Sequence, residues 1–168
     1  MTDVQRQEPS PDAGELEMLT GWLDYHRATL ELKCSGLTDE QLKTRSVPPS
    51  SLSLLGLVRH LYEVERGWFR VTMGGAPDVA VYYSEANRDG EFDDVGTGDA
   101  ATDLARWRAE CDYSRQVVAD SSGLDQRSAG REGSFTLRWI VTHMVEEYAR
   151  HNGHADLLRE RIDGATGD

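Results

Sequence analysis

Three histidines and two carboxylates, His143, Glu146, Glu147, His151 and His154, fall within twelve residues of this chain. Imidazole nitrogens and carboxylate oxygens are donor atoms for divalent metals, and side chains four apart on a helix share a face from which two can address one ion. On a helical wheel with His143 at zero, Leu137, Ile140, Met144, Tyr148, Ala155, Leu158 and Ile162 form an apolar stripe between about 60° and 140°. His151 falls inside that stripe at about 80°, and Glu147 on its shoulder at about 40°. His154 and His143 lie nearer to solvent. Glu147 and His151 therefore point into apolar surroundings, where a carboxylate needs a cation or hydrogen bonds to offset its desolvation. A solvated ion pair beside a core histidine has the same spacing, so the pair alone leaves both readings open.

The elements that must position these groups can be read from apolar period and punctuation. Leu16, Leu19, Leu23, His26 and Leu30 recur at three and four from Glu15 to about Ser35, a first helix that Gly36 ends. His26 lies on its apolar face, as a core histidine or a fourth ligand. One short turn is expected at Leu37–Leu42 before the breakers Val47-Pro-Pro-Ser50. A second helix runs from about Leu52 to Val71 on Leu54, Leu57, Leu61, Val64 and Trp68, with His60 at the stripe's edge, able to look across an interhelical gap. Gly74–Thr97 is rich in Gly, Asp, Pro and Asn around Tyr82-Tyr83. It reads as a surface loop, a lid or the edge of a pocket. A third helix covers about Asp99 to Ser121, with Leu104, Trp107, Cys111 and Val118 inward. A polar loop, Ser121–Ser134, precedes the fourth helix, which Ser134 or Thr136 can cap and which reaches about Ile162 before Gly164.

Four long helices without a period-2 strand predict an all-α bundle over residues 14–164, with a disordered arm at 1–13 and a disordered tail at 165–168. The 168 residues suffice for one domain with a substantial core. Thirty acidic against eighteen basic residues, a net charge of −12, repel phosphate backbones and anionic membranes, so neither nucleic acid nor membrane is an expected partner. Two cysteines, Cys34 and Cys111, are too few for a disulfide framework. With no signal-peptide pattern or membrane-length apolar run, the expected location is the cytoplasm.

The stretches Val47-Pro-Pro-Ser-Ser-Leu-Ser-Leu-Leu-Gly-Leu-Val-Arg-His60-Leu, Glu65-Arg-Gly-Trp-Phe69 and Leu137-Arg-Trp through Glu147-Tyr-Ala-Arg-His-Asn-Gly-His154 to Glu160 resemble the DinB-like or YfiT-like metal-binding bundles. Within them the chain is similar to an actinobacterial branch sometimes called mini-circle-type. The resemblance spans about Glu15 to Gly164 and implies an up-down-down-up or similar four-helix bundle, with relatives that are often homodimers. It also implies one histidine ligand on the second helix and two ligands four apart on the fourth: His60, Glu147 and His151. Many such proteins have histidine where this chain has Glu147; the mycothiol-dependent maleylpyruvate isomerases look similar in carrying glutamate. His143 and His154 then become candidates to orient ligands or line the pocket.

Two nitrogens and one carboxylate leave coordination positions open, as catalysis requires. Zinc is the first expectation, and nickel, iron and manganese accept the same donors. Several members of the superfamily look like transferases that use mycothiol or bacillithiol, which implies a small-molecule thiol and an electrophile as partners in a transferase or isomerase reaction. A thiol with a pKa near 8.5 is only about 3% ionised at pH 7, so complete ionisation on a metal raises the reactive population at most ~30-fold. A hydrolase using metal-activated water and a non-catalytic metal- or ligand-binding bundle are the competing readings.

Overall fold

The computed structural model describes residues 5–130 and 134–167, so residues 1–4 of the expected arm, 131–133 of the expected polar loop and 168 of the expected tail lie outside it. Among the described residues there are helices, loops and a single isolated bridge between Arg127 and Thr136, with no strand. The helices are α1 (Glu15–Cys34), α2 (Asp39–Lys43), α3 (Leu54–Glu65), α4 (Gly90–Asp93), α5 (Ala100–Ala119) and α6 (Leu137–Asp163). None is long and apolar enough to cross a membrane.

Side chains set the helix starts where the sequence offers them. The hydroxyls of Ser53 and Thr136 accept hydrogen bonds from Gly56 N (3.1 Å) and Trp139 N (3.3 Å), and the Asp99 carboxylate accepts one from Thr102 N at 2.8 Å. Each satisfies an amide that the first turn leaves without a partner. The short α2 carries a reciprocal cap between Thr38 and Gln41. At the far end of α6, Gly164 adopts φ +78°, a left-handed stop.

Inter-helix contacts fix the directions. Glu15 meets Arg138, the His26 carbonyl accepts from Asn152, and the Lys33 carbonyl accepts from Arg159, so α1 and α6 run parallel. Arg59 pairs with Asp103 and Arg70 with Glu110, so α3 and α5 are also parallel. Asp24 with Arg115 and Glu31 with Arg108 make α5 antiparallel to α1, while His60 beside His151 and Trp68 beside Trp139 make α6 antiparallel to α3. The bundle is therefore up-down-down-up. Leu23, Leu30, Leu54, Leu57, Leu61, Trp107, Ile140, Met144, Tyr148 and Leu158 fill its centre.

The plain α-helix expected to run to Val71 gives way to a π-helical segment, Arg66–Met73. Gly74 N donates to Phe69 O at 3.0 Å, a span of five residues. The wider turn lets Phe69, Val71, Thr72 and Met73 all be buried, a set that the 3.6-residue period would split between faces. Before α1, Pro9 sits on Gly21 and the Arg6 guanidinium lies 5.2 Å from the Tyr25 ring centre. Beyond α6, the Gly167 carbonyl accepts a hydrogen bond from Lys33 at 2.8 Å.

Candidate metal centre

The angular placement on α6 matches the packing. Leu137, Ile140, Met144, Tyr148, Ala155 and Leu158 are buried, whereas Ile162 is half-buried at the helix end. His151 comes to rest at the core's edge, its side chain 12% exposed, with Glu147 at 21% on the preceding turn. Across the gap, α3 presents His60 between Leu57 and Val64. One donor atom from each of His60, Glu147 and His151 lies within 4.8 Å of the other two. Donors bound to one ion at about 2.1 Å stand roughly 3 to 4 Å apart, so closing on an ion takes side-chain movement of about an ångström.

The far nitrogens of both imidazoles are engaged. His60 Nδ1 lies 3.2 Å from Glu91 Oε1, and His151 Nδ1 lies 3.3 Å from His154 Nδ1. His151 Nε2 faces Glu147 Oε2 at 3.4 Å. Burial, with His60, His154 and Arg150 nearby, pushes the His151 pKa down to about 4 and keeps its ring neutral near pH 7. In the tautomer whose Nδ1–H donates to His154, the lone pair sits on Nε2. Such outer hydrogen bonds fix tautomer and ring orientation in metal-binding histidines.

Glu91 carries no sequence signal. It sits on the four-residue α4 within the Gly74–Thr97 stretch, which is anchored at several points. Glu63 Oε1 accepts from Val81 N (2.6 Å) and Tyr82 N (2.7 Å), and the Tyr82 hydroxyl donates to Asp103 Oδ1 at 2.7 Å. Phe92 stacks on His60 with ring centres 5.6 Å apart. Two glycines permit this docking: a Cβ on Gly56 would meet Phe92 Cδ1 at 2.7 Å, and one on Gly90 would meet the Tyr82 carbonyl oxygen at 2.4 Å. The stretch forms pocket walls: a cavity of about 190 Å³ is lined by His60, Glu63, Trp68, Asp78, Tyr83 and Glu91.

His143 stacks on Trp139 and meets Trp68 edge-on, both with ring centres 4.9 Å away. Its Nδ1 faces Glu146 Oε2 at 3.3 Å and its Nε2 faces Glu147 Oε1 at 3.5 Å. These three residues also lie close enough to share an ion, but Glu146 is 58% exposed to water and the two ring nitrogens address different carboxylates. His143 thus orients Glu147 from the side away from His151. His26 stays apart, beside Asn152, Trp22 and Tyr25, and is in none of the donor groups among the described residues. Its burial lowers its pKa.

The lowered histidine values have a thermodynamic sign. Below the unfolded-state pKa near 6.5 the unfolded chain takes up a proton that the metal-free folded chain refuses until about pH 4 at His151. Stability is thus unaffected by this group at higher pH and falls as pH drops. The expected loss from His151 is roughly 2 kcal/mol at pH 5, with His26 adding in the same direction. Urea unfolding of chelator-treated protein between pH 7.5 and 5 measures it; a His151→Gln variant with an unchanged slope would refute the assignment.

A family model described as mycothiol-S-transferase matches residues 18–164. No curated protein matches the chain. The family is part of the DinB/YfiT-like superfamily, in agreement with the all-α bundle. With nearly the whole of the bundle inside that match, from α1 through the histidine-bearing turns of α6, the chain belongs to the mycothiol-S-transferase family.

Proposed function

We propose that the protein is a divalent-metal-dependent transferase that joins the sulfur of mycothiol to small electrophiles, with His60, Glu147 and His151 holding the ion. The observation that carries the reading is the convergence of two imidazoles, each already oriented through its other nitrogen, with a carboxylate on the next turn. A divalent ion held there supplies a positive charge that keeps a bound thiol ionised, a gain of at most ~30-fold in reactive population near pH 7. Zinc is the first choice, with nickel, iron and manganese distinguished by elemental analysis.

The remaining rate enhancement has to come from the chain's own groups. Cys34 and Cys111 are buried. Desolvation pushes the Cys34 thiol up to about 12 and Cys111 higher than its ordinary value too, so neither offers a thiolate. The reacting sulfur therefore arrives with the cosubstrate. Trp68, Tyr83 and Val64 wall the cavity beside His60, while Glu91 and His154 keep the two imidazoles turned toward the shared point. In a transfer to a chlorinated acceptor the S–C bond forms, chloride leaves, and the thiol proton passes to solvent.

Metal-loaded and chelated protein incubated with mycothiol and a chlorinated or maleyl acceptor test the reading. The expected result is conjugate or isomer in the loaded sample only. Equal turnover after chelation sinks the metal role, and turnover of a hydrolysable substrate with water alone replaces transfer by hydrolysis.

A further inference from the structure

Arg59 and His60 are neighbours on α3 that turn to different helices, Arg59 to Asp103 on α5 and His60 to His151 on α6. The 74–97 stretch passes over α3 and is fastened on both sides. On the α5 side the buried Asp103 accepts from Arg59 Nε at 2.6 Å on Oδ2 and from the Tyr82 hydroxyl at 2.7 Å on Oδ1. The Arg59 guanidinium lies 4.9 Å from the centre of the Tyr82 ring, which the Tyr62 ring meets edge-on at 5.5 Å. Just past its end the stretch returns to the same pair, since a Cβ on Gly98 would run into Arg59 Nη2. Burial pushes the Tyr82 hydroxyl up to about 12, so it stays a donor throughout the neutral range.

On the α6 side the fastening is Glu91 and Phe92 against His60. Their helix, α4, has four residues and no side-chain cap, too short to hold its shape alone, so Glu91 stands where the rest of the stretch puts it. Tyr82 is the fixed point beside it. Its amide is held by Glu63 Oε1, and its carbonyl oxygen abuts Gly90, the residue before Glu91. Arg45 also reaches the Phe92 carbonyl and Asp93, but both contacts are exposed. A bond from a half-buried phenol to a buried, charge-paired carboxylate is stronger than these.

We propose that Tyr82, closed on Asp103, is a positioning residue for His60: it holds Glu91 and Phe92 against the imidazole, so that docking of the stretch and occupation of the metal site stabilise one another. The coupling rests on the metal reading above; the positioning of the ring does not. An ion that binds the docked form more tightly must hold the stretch docked by the same factor.

Zinc titration against a competing chelator and amide hydrogen exchange test it on wild type and Tyr82→Phe. Zinc should slow exchange of the Val81 and Tyr82 amides in wild type about tenfold or more, and leave the Ala13 amide, bonded to Ser10 ahead of α1, unchanged. Tyr82→Phe should speed exchange at positions 81 and 82 and weaken zinc binding about 3- to 10-fold, part of what losing the outer bond itself costs. Added to Glu91→Ala, which removes that bond, it should cost less than about twofold more. In metal-free protein the His60 Nδ1 resonance should shift between wild type and Tyr82→Phe. A role confined to stability would lower the unfolding midpoint alone; equal zinc affinity with a loosened stretch, or an unmoved His60 resonance, overturns the proposal. Tight zinc binding that leaves the wild-type amides as they were also overturns it, and decides even where the variant does not fold. Were wild type to bind no zinc, the metal reading would fall and the His60 resonance would still judge the positioning.

Discussion

Replacing His151 with alanine is expected to strip the protein of tightly bound metal, abolish metal-dependent transfer and leave the helices in place. Losing only an outer hydrogen bond to a metal-binding histidine typically costs 10 to 100-fold in affinity, so removal of a direct donor should cost at least about 100-fold. His154→Ala and Glu91→Gln act one bond further out and should fall in the 10 to 100-fold range. His151 stands at the margin of the core, and the apolar stripe from Leu137 to Leu158 continues without it. Elemental analysis after gel filtration, with circular dichroism on the same samples, gives both quantities. Full metal content in the variant would remove His151 from the ligand set, and loss of helicity would make it a packing residue.

The largest effect on stability is expected from Glu65→Ala. Glu65 is fully buried and takes a two-pronged ion pair from Arg27, with Nε at 2.7 Å and Nη2 at 2.8 Å. The Tyr148 hydroxyl donates to Glu65 Oε1 at 2.8 Å and itself accepts from Trp107 Nε1 at 2.8 Å. Burial alone would lower the Arg27 pKa, but the Glu65 carboxylate more than reverses this and holds the guanidinium charged. Removing the carboxylate leaves that buried charge with only the half-exposed Asp24, 2.9 Å from Nη1 and shared with Arg115, at a cost of about 3 to 5 kcal/mol. Against a total stability of roughly 5 to 15 kcal/mol this is severe. Urea denaturation measures it, and a shift below about 1 kcal/mol would show that water reaches Arg27 and screens it. Replacing both partners by apolar residues of similar volume should recover most of the loss.

The last helix, α6, could be placed from sequence because its apolar period holds for about seven turns between a hydroxyl cap and a glycine stop. The same arithmetic brought Glu147 and His151 to the core's edge, and the motif shared with DinB-like proteins added His60. The Arg27–Glu65 pair was invisible, since charges at such positions usually mean solvent and the partners are 38 residues apart. Glu91 was equally hidden: it lies on a helix of four residues in a stretch with no period, and the docking of Phe92 over Gly56 and of Gly90 against Tyr82 brings it beside His60. The π-helical segment escaped because its buried set breaks the spacing by which helices are recognised. Period and caps reveal elements; side chains brought in by loops depend on tertiary docking.

The parallel pairing of α1 with α6 has a consequence for synthesis. Glu15 meets Arg138 and His26 meets Asn152 across separations of 123 and 126 residues. While the ribosome has made only the first three long helices, α1 and α3 lack the cover that α6 gives them and the histidine of α3 has Glu91 and Phe92 beside it but not His151. Contacts this distant along the chain slow folding relative to bundles whose neighbours follow one another. The nascent chain is therefore most vulnerable to aggregation and proteolysis just before its longest helix emerges, and core and donor set become complete in the same late event.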